Sequence, residues 1–253
     1  MSDSSKPTNE KIIKSKNRVQ NHGEVFTPKK IVKEMLDLPT IHEACQNLTS
    51  TFLEPAAGEG VFLVEVLTRK MNMVEKNYGD DLTCYENYSL LALSTLYGVE
   101  LLEDNAKKCA MNMYQVYYEA YQQFARKHGK KIKAKVLNSA KLIISKNIAQ
   151  GNFLTKLSAN GNPIVFSEWK VINLRKGVKI LNVQRTEYTL NDIIEGVEKE
   201  KGEISPHLEK IEQLDLFHLF DDEEILIEEK TRVKYIPTKI TEVYKEEKEE
   251  VNG

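Results

Sequence analysis

The chain has 253 residues, 41% of them hydrophobic, and 36 Lys/Arg stand against 38 Asp/Glu. That is enough apolar side chain for one sizeable domain with an extension, and it excludes wholesale disorder. With no long uncharged apolar run and no basic-then-apolar leader, neither a membrane span nor secretion is expected, and a cytoplasmic location is.

The first 17 residues are rich in Ser, Lys and Asn and read as a flexible arm. Pro28 opens a predicted helix from Lys29 to Leu38, with Ile31, Val32, Met35, Leu36 and Leu38 along one side. A strand is expected over Thr51–Glu54, then a glycine turn, then a helix from Gly60 to about Met73. A further helix over Tyr85–Leu96 leads into a second strand, Tyr97–Glu100. The longest periodic segment runs from Asp104 to about His128. Its aromatic stripe of Tyr114, Tyr117, Tyr118, Tyr121 and Phe124 follows helical spacing, which suits a buried face better than base stacking. Lys141 to Gln150 reads as a helix end and a third strand. Beyond Leu154, Pro163–Trp169 and Val178–Thr189 are predicted strands, with Trp169 a core or interface anchor. Leu190–Phe220 looks helical, and Ile225–Ile227 and Val233–Ile236 look like short strands. The acidic stretch from Glu242 is expected to be disordered. Cys45, Cys84 and Cys109 are far apart and the five histidines are scattered, so reduced packing thiols and no metal site are expected.

Charge is distributed unevenly. Residues 1–33 carry eight basic side chains against three acidic, the last 63 carry nine against nineteen, and no acid occurs between Ala120 and Ser167. Within that stretch Arg126, Lys127, Lys130, Lys131, Lys133 and Lys135 form a block that is either a solvated surface or a phosphate-contacting patch.

The chemistry concentrates in Phe52-Leu53-Glu54-Pro55-Ala56-Ala57-Gly58-Glu59-Gly60-Val61. A strand that ends in a Gly-x-Gly turn before a helix presents main-chain N–H groups and the positive end of a helix dipole to a ligand. Three further segments accompany it: Gly23-Glu24-Val25-Phe26-Thr27-Pro28, Tyr97-Gly98-Val99-Glu100-Leu101, and Gln150-Gly151-Asn152-Phe153-Leu154. In this order the four segments resemble the S-adenosylmethionine-binding motifs of adenine-specific (N6) DNA methyltransferases of restriction–modification systems, over about Arg18 to Leu154. The resemblance implies an α/β, Rossmann-like methyltransferase fold, apparently incomplete, with an N-terminal helical arm and a β-rich C-terminal extension. The expected divisions are 1–17, 18–156, 157–240 and a tail over 241–253.

By the same resemblance S-adenosylmethionine is the cofactor. Phe26, Thr27 and Pro28 would cover its methionine end, although Thr27-Pro28 also makes a good helix start. Glu54 would face its amino group, Ala56, Gly58 and Gly60 would form the turn, and Glu100 with Leu101 beside it would take the ribose. Glu103 and Asp104 read as helix N-terminal charges. The family's aspartate is replaced here by Asn152, an acceptor without charge, and Phe153 either flanks the adenine or belongs to the core. The forty residues between Gly60 and Glu100 suggest an inserted helical excursion.

The family's Asn/Asp-Pro-Pro-aromatic loop, which holds an extruded adenine, has no counterpart. All seven prolines are isolated. The nearest candidate, Asn162-Pro163, reads as a turn into a strand. The sequence therefore points to the cofactor-binding part of a split or degenerate methylase. A partner polypeptide would supply the catalytic loop and target recognition, and DNA would be the substrate. The alternatives are a self-sufficient enzyme with a divergent loop, and a non-catalytic nucleic-acid- or protein-binding module.

Overall fold

The computed structural model describes residues 13–175, 177–205 and 233–251. Helix α1 (Lys16–His22) is capped by Ser15 and ends at Gly23, which is left-handed at φ 64°. Residues 13–17, expected within the flexible arm, are held by Lys14, whose Nζ lies 3.0 Å from Asp104. Helix α2 (Lys29–Leu36) has Pro28 at its cap with no side-chain cap bond, so Thr27 is not a helix cap. Leu38 then starts a separate helix, α3 (Pro39–Gln46). Of the predicted stripe only Val32 and Leu36 are buried, while Ile31, Met35 and Leu38 are exposed.

Strand β1 (Phe52–Glu54) leads to α4 (Val61–Tyr78), longer than predicted, and α5 (Leu82–Leu93), capped by Asp81. These two helices fill the long interval between the glycine turn and β2 (Leu96–Glu100). Next come α6 (Glu103–Lys127), α7 (Ala134–Asn147) and β3 (Ile148–Asn152). The strands β1, β2 and β3 are parallel, with Leu53 opposite Tyr97 and Val99 opposite Ala149. A two-residue strand, β4 (Leu157–Ser158), closes the sheet antiparallel to β3, giving the order β1-β2-β3-β4.

One face of this sheet carries the helices. Gly98 is required there, because a Cβ would come within 2.9 Å of Leu63 on α4. The aromatic stripe is core, as its spacing predicts. Tyr117, Tyr121 and Phe124 are buried, and Phe124 stacks on Tyr85 at 3.8 Å between ring centres. On the other face Tyr97, Val99 and Ala149 meet Ile164, Phe166 and Leu190.

The last two come from β5 (Val165–Val171) and α8 (Leu190–Glu195); β6 (Asn182–Thr189), antiparallel to β5, lies between them. Beyond α8 no described residue up to Ser205 is helical, and Leu190–Phe220 otherwise lies partly outside the described residues, as does Ile225–Ile227. Strands β7 (Val233–Tyr235) and β8 (Thr238–Lys239) follow, then a 3-10 helix (Ile240–Lys245) and β9 (Lys248–Glu250). Trp169 donates its indole N–H to Asn147 at 3.2 Å and, with Leu181, Val183, Ile240 and Val243, belongs to the same core as α4 and α6.

The acidic tail is therefore ordered as far as it is described, contrary to its composition. Val243 is buried, and β9 pairs with β7. Glu246 also answers a buried cation: Arg185, 5% exposed, lies against the rings of Trp169 and Tyr235 and is paired with Glu187 and Glu246. A buried guanidinium left without carboxylates would be costly, so charge pins what hydrophobicity would not. Among the described residues no helix is long and apolar enough to cross a membrane, and no cluster of potential metal ligands occurs.

Candidate functional site

Glu54, Glu100 and Asn152 are the last residues of β1, β2 and β3. Glu54 lies opposite Gly98 and Glu100 opposite Gln150, so each acceptor stands two residues further along its strand than the one before. With strands about 4.8 Å apart and about 3.3 Å per residue, the three form a diagonal row roughly 16 Å long at the carboxyl ends of a parallel sheet. That end is where open α/β sheets bind ligands.

The turn between β1 and α4 closes over the row. Ala57 N–H donates to Val99 O at 2.9 Å and Gly60 N–H to Ala57 O at 2.8 Å, while Ala56 N–H is held by Glu54 Oε1 at 3.2 Å. Gly58 and Gly60 are left-handed, at φ 55° and 85°. Gly60 is fixed by packing as well, since a Cβ there would lie 2.7 Å from Cys109 Sγ on α6. Burial pushes the Cys109 thiol up to about 12, which makes it a packing group and not a nucleophile.

Glu100 is buried and binds both walls of the site. Its Oε2 accepts from Gly58 N–H at 2.7 Å, and its Oε1 accepts from Leu102 N–H at 2.9 Å and from Asn105 Nδ2 at 3.4 Å. A carboxylate has about four acceptor directions and three are taken, so capacity remains for one donor on a ligand. Phe26, half-buried, lies on Gly58, 3.5 Å from where a Cβ would stand, and Thr27 beside it is exposed. Leu101 is 47% exposed, and its carbonyl accepts from Gln150 Nε2 at 3.0 Å, which sets an apolar side chain at the rim.

Five residues that the sequence reading did not assign to the site complete it. Glu24 is buried; its Oε1 accepts from Asn105 Nδ2 at 2.6 Å and from Arg18 Nη2 at 2.7 Å. Arg18 also reaches both oxygens of Asp104 at 3.0 Å, so Asp104 is a partner of the arm besides standing in the first turn of α6. The Arg18 guanidinium lowers Glu24 and holds the Asp104 carboxyl at about 2. Lys14 joins the same cluster. The only sequence signal was adjacency: Glu24 lies two residues before Phe26 and Asn105 five after Glu100.

Asn152 and Phe153, the remaining candidates of the cofactor site, both make local contacts. The Asn152 side-chain oxygen accepts from Leu154 N–H at 2.9 Å and Thr155 N–H at 3.4 Å, an Asx turn that ends β3. Phe153 packs against the Val99 and Ile164 cluster, the core alternative.

The Asn162-Pro163 turn lies at the opposite edge of the sheet from β1. Asn162 O accepts from Ser158 N–H at 2.7 Å and Pro163 bridges to Leu157, so the turn belongs to β4, with β2 and β3 between it and Glu54. The basic block is at the other end of the molecule. Helix α6 begins beside Glu100 and runs 25 residues, about 37 Å at 1.5 Å per residue, before reaching Arg126 and Lys127. Lys127, Lys133 and Lys135 are paired with Glu75, Glu86 and Glu242, while Arg126, Lys130 and Lys131 are exposed. A groove of about 410 Å³ lies between α2, α4 and α6, walled by Lys33, Glu59, Val61, Asn112 and Val116 among others; Glu54, Glu100 and Asn152 do not line it.

The chain is a mixed α/β protein with hydrogen-bond acceptors at the ends of three parallel strands, beside a glycine turn, at the edge where open α/β sheets as a class bind their ligands. The particular family is shown by comparison: the family model for N-6 DNA methylase matches residues 10–146, more than half of the chain, and the chain belongs to that family. The matched region includes Lys14, Arg18, the glycine turn and Glu100, and stops before Asn152. No curated protein and no solved structure matches the chain.

Proposed function

We propose that the chain binds S-adenosylmethionine across Glu54, Gly58 and Glu100 and is the cofactor-binding part of a split or degenerate adenine-N6 DNA methyltransferase, built on the first half of a Rossmann-like sheet. The observation that carries this reading is the row of strand-end acceptors under the Gly58–Gly60 turn. The acceptor set fits the cofactor, which presents as donors two ribose hydroxyls, an ammonium and an adenine amino group. Glu100 would accept from the ribose, Glu54 from the ammonium, and Phe26 and Leu101 would flank the bound molecule. Asn152 contributes only as far as its Asx turn loosens. The cofactor supplies an electrophilic methyl group, and this chain supplies position.

Support for the split reading comes from where the sheet stops. Among the described residues β1 pairs on one side only, and by strand alternation the main-chain N–H and C=O of Leu53 turn away from β2. On the face shared with Tyr97, Phe166 and Leu190 cover β2 and β3, whereas Leu53 is 39% exposed. A strand from a partner polypeptide would seat there, and the loop after it, of the Asn/Asp-Pro-Pro-aromatic kind, would open beside Glu54. The basic block is too distant to hold the target base, and Arg126, Lys130 and Lys131, which stand outside its ion pairs with Glu75, Glu86 and Glu242, would contact phosphates only.

Calorimetry with S-adenosylmethionine and a radiolabelled methyl-transfer assay on unmethylated DNA test the proposal. Binding in the micromolar range without transfer is expected of the isolated chain. No heat would overturn the cofactor reading. Transfer abolished by Asn162→Ala would favour a self-sufficient enzyme.

A further inference from the structure

Resting on that cofactor reading, we propose that residues 13–22 are a strap that closes over the cofactor site and must release before the cofactor loads. Glu100 joins Gly58 on one wall to Leu102 and Asn105 on the other. Lys14 repeats this bridge one layer further out. Its Nζ lies 3.0 Å from Glu59, 3.0 Å from Asp104 and 2.6 Å from Asn105 Oδ1, and 5.7 Å from the centre of the Phe26 ring. The glycine turn, the head of α6 and Phe26 thus converge on one ammonium, which spans the gap above the carboxylate that would take the ribose. Arg18 is a second clasp, holding Glu24 and Asp104.

The strap ends at a hinge. Gly23 is left-handed at φ 64°, and a Cβ there would meet nothing within 4 Å, so the requirement for glycine is one of backbone freedom and not of space. Three cations, Lys14, Lys16 and Arg18, lie on the strap, and Glu59, Asp104 and Glu24 face it. Lys14 and Arg18 are 26% and 27% exposed, Asp104 is 53% exposed, and such pairs weaken as salt screens them. Neither is buried beyond release, yet a ligand reaching Glu100 between these walls must displace Lys14. The strap therefore sets a salt-dependent rate of cofactor association.

The test uses the full chain and Lys14→Ala with Asp104→Asn, which opens the bridge while leaving Arg18 on buried Glu24. At low salt the double variant should associate with S-adenosylmethionine about tenfold faster than the native chain, within the range that on-rates vary among mutants of one site. The two should converge as salt rises. Hydrogen exchange without cofactor should speed up at 13–22 in the variant and stay unchanged in α4 and β2. Cofactor bound to the native chain displaces Lys14 and should likewise speed exchange in that arm. Equal association rates at every salt concentration, or equal arm exchange, would overturn the strap. Binding by the variant alone would support it. Silence from both proteins would instead overturn the cofactor reading, and the strap's gating role with it.

Discussion

Replacing Glu100 separates its architectural role from any role toward a ligand. The carboxylate, 7% exposed, accepts two main-chain N–H bonds, from Gly58 at 2.7 Å and Leu102 at 2.9 Å. Hydrogen bonds to a charged group are worth about 1.5–3 kcal/mol each, and stranding a buried donor costs about 1–3 kcal/mol. Gly58 and Leu102 are only half-buried, so water recovers part of the loss. Glu100→Ala should therefore destabilise the chain by about 2–4 kcal/mol with no cofactor present. Glu100→Gln keeps one acceptor but turns an NH2 toward an N–H donor, and should cost about 1–2 kcal/mol. Urea unfolding without ligand is the assay. With a slope of about 2 kcal/mol/M, the alanine variant's midpoint should fall by roughly 1–2 M. Cofactor affinity should fall as well. An unchanged midpoint in both variants would show that the Gly58–Glu100–Leu102 bridge does not hold the site together, and the reasoning would fail.

Lys70 has no exposed surface, donates to Asn47 O and Ser50 O at 2.8 Å, and is lowered by burial to about 8 from 10.5. Between those two values the unfolded chain binds the extra proton, so Lys70's contribution to stability should rise with pH by up to about 3 kcal/mol over that window, being least favourable below pH 8. Urea midpoints from pH 7 to 10 should show this rise relative to Lys70→Met; parallel profiles would refute it. Gly60→Ala faces a φ of 85° and Cys109 Sγ at 2.7 Å, and should lose about 2–5 kcal/mol in the same assay. Adding Cys109→Ala should restore only part, because the Cys109 Cα stands at 3.2 Å and the backbone angle is unrelieved; full recovery would show that crowding alone sets the cost. If the basic end contacts DNA, converting Arg126, Lys130 and Lys131 to Gln should lower the log–log salt slope of binding by about 2–3. The same change at Lys127, Lys133 and Lys135 should lower it less, since these are paired, and equal losses would contradict that distinction.

Periodicity alone located most elements, because burying one helical face or a strand run needs only local spacing. The stripe from Tyr114 to Phe124, the strand that contains Trp169 and the strand that pairs with it are examples. The glycine turn, Glu54 and Glu100 were legible for a similar reason, since a strand end, a turn and a helix start occupy consecutive residues. Tertiary structure decided what depends on partners distant in sequence. Composition marked the tail for disorder, but Arg185, buried some sixty residues earlier, requires Glu246. The basic block could touch a site residue only if α6 were short, and the helix instead carries it to the far end of the sheet. The cluster of Lys14, Arg18, Glu24 and Asn105 had no signature, because ion pairs follow proximity in space and leave no period in the sequence.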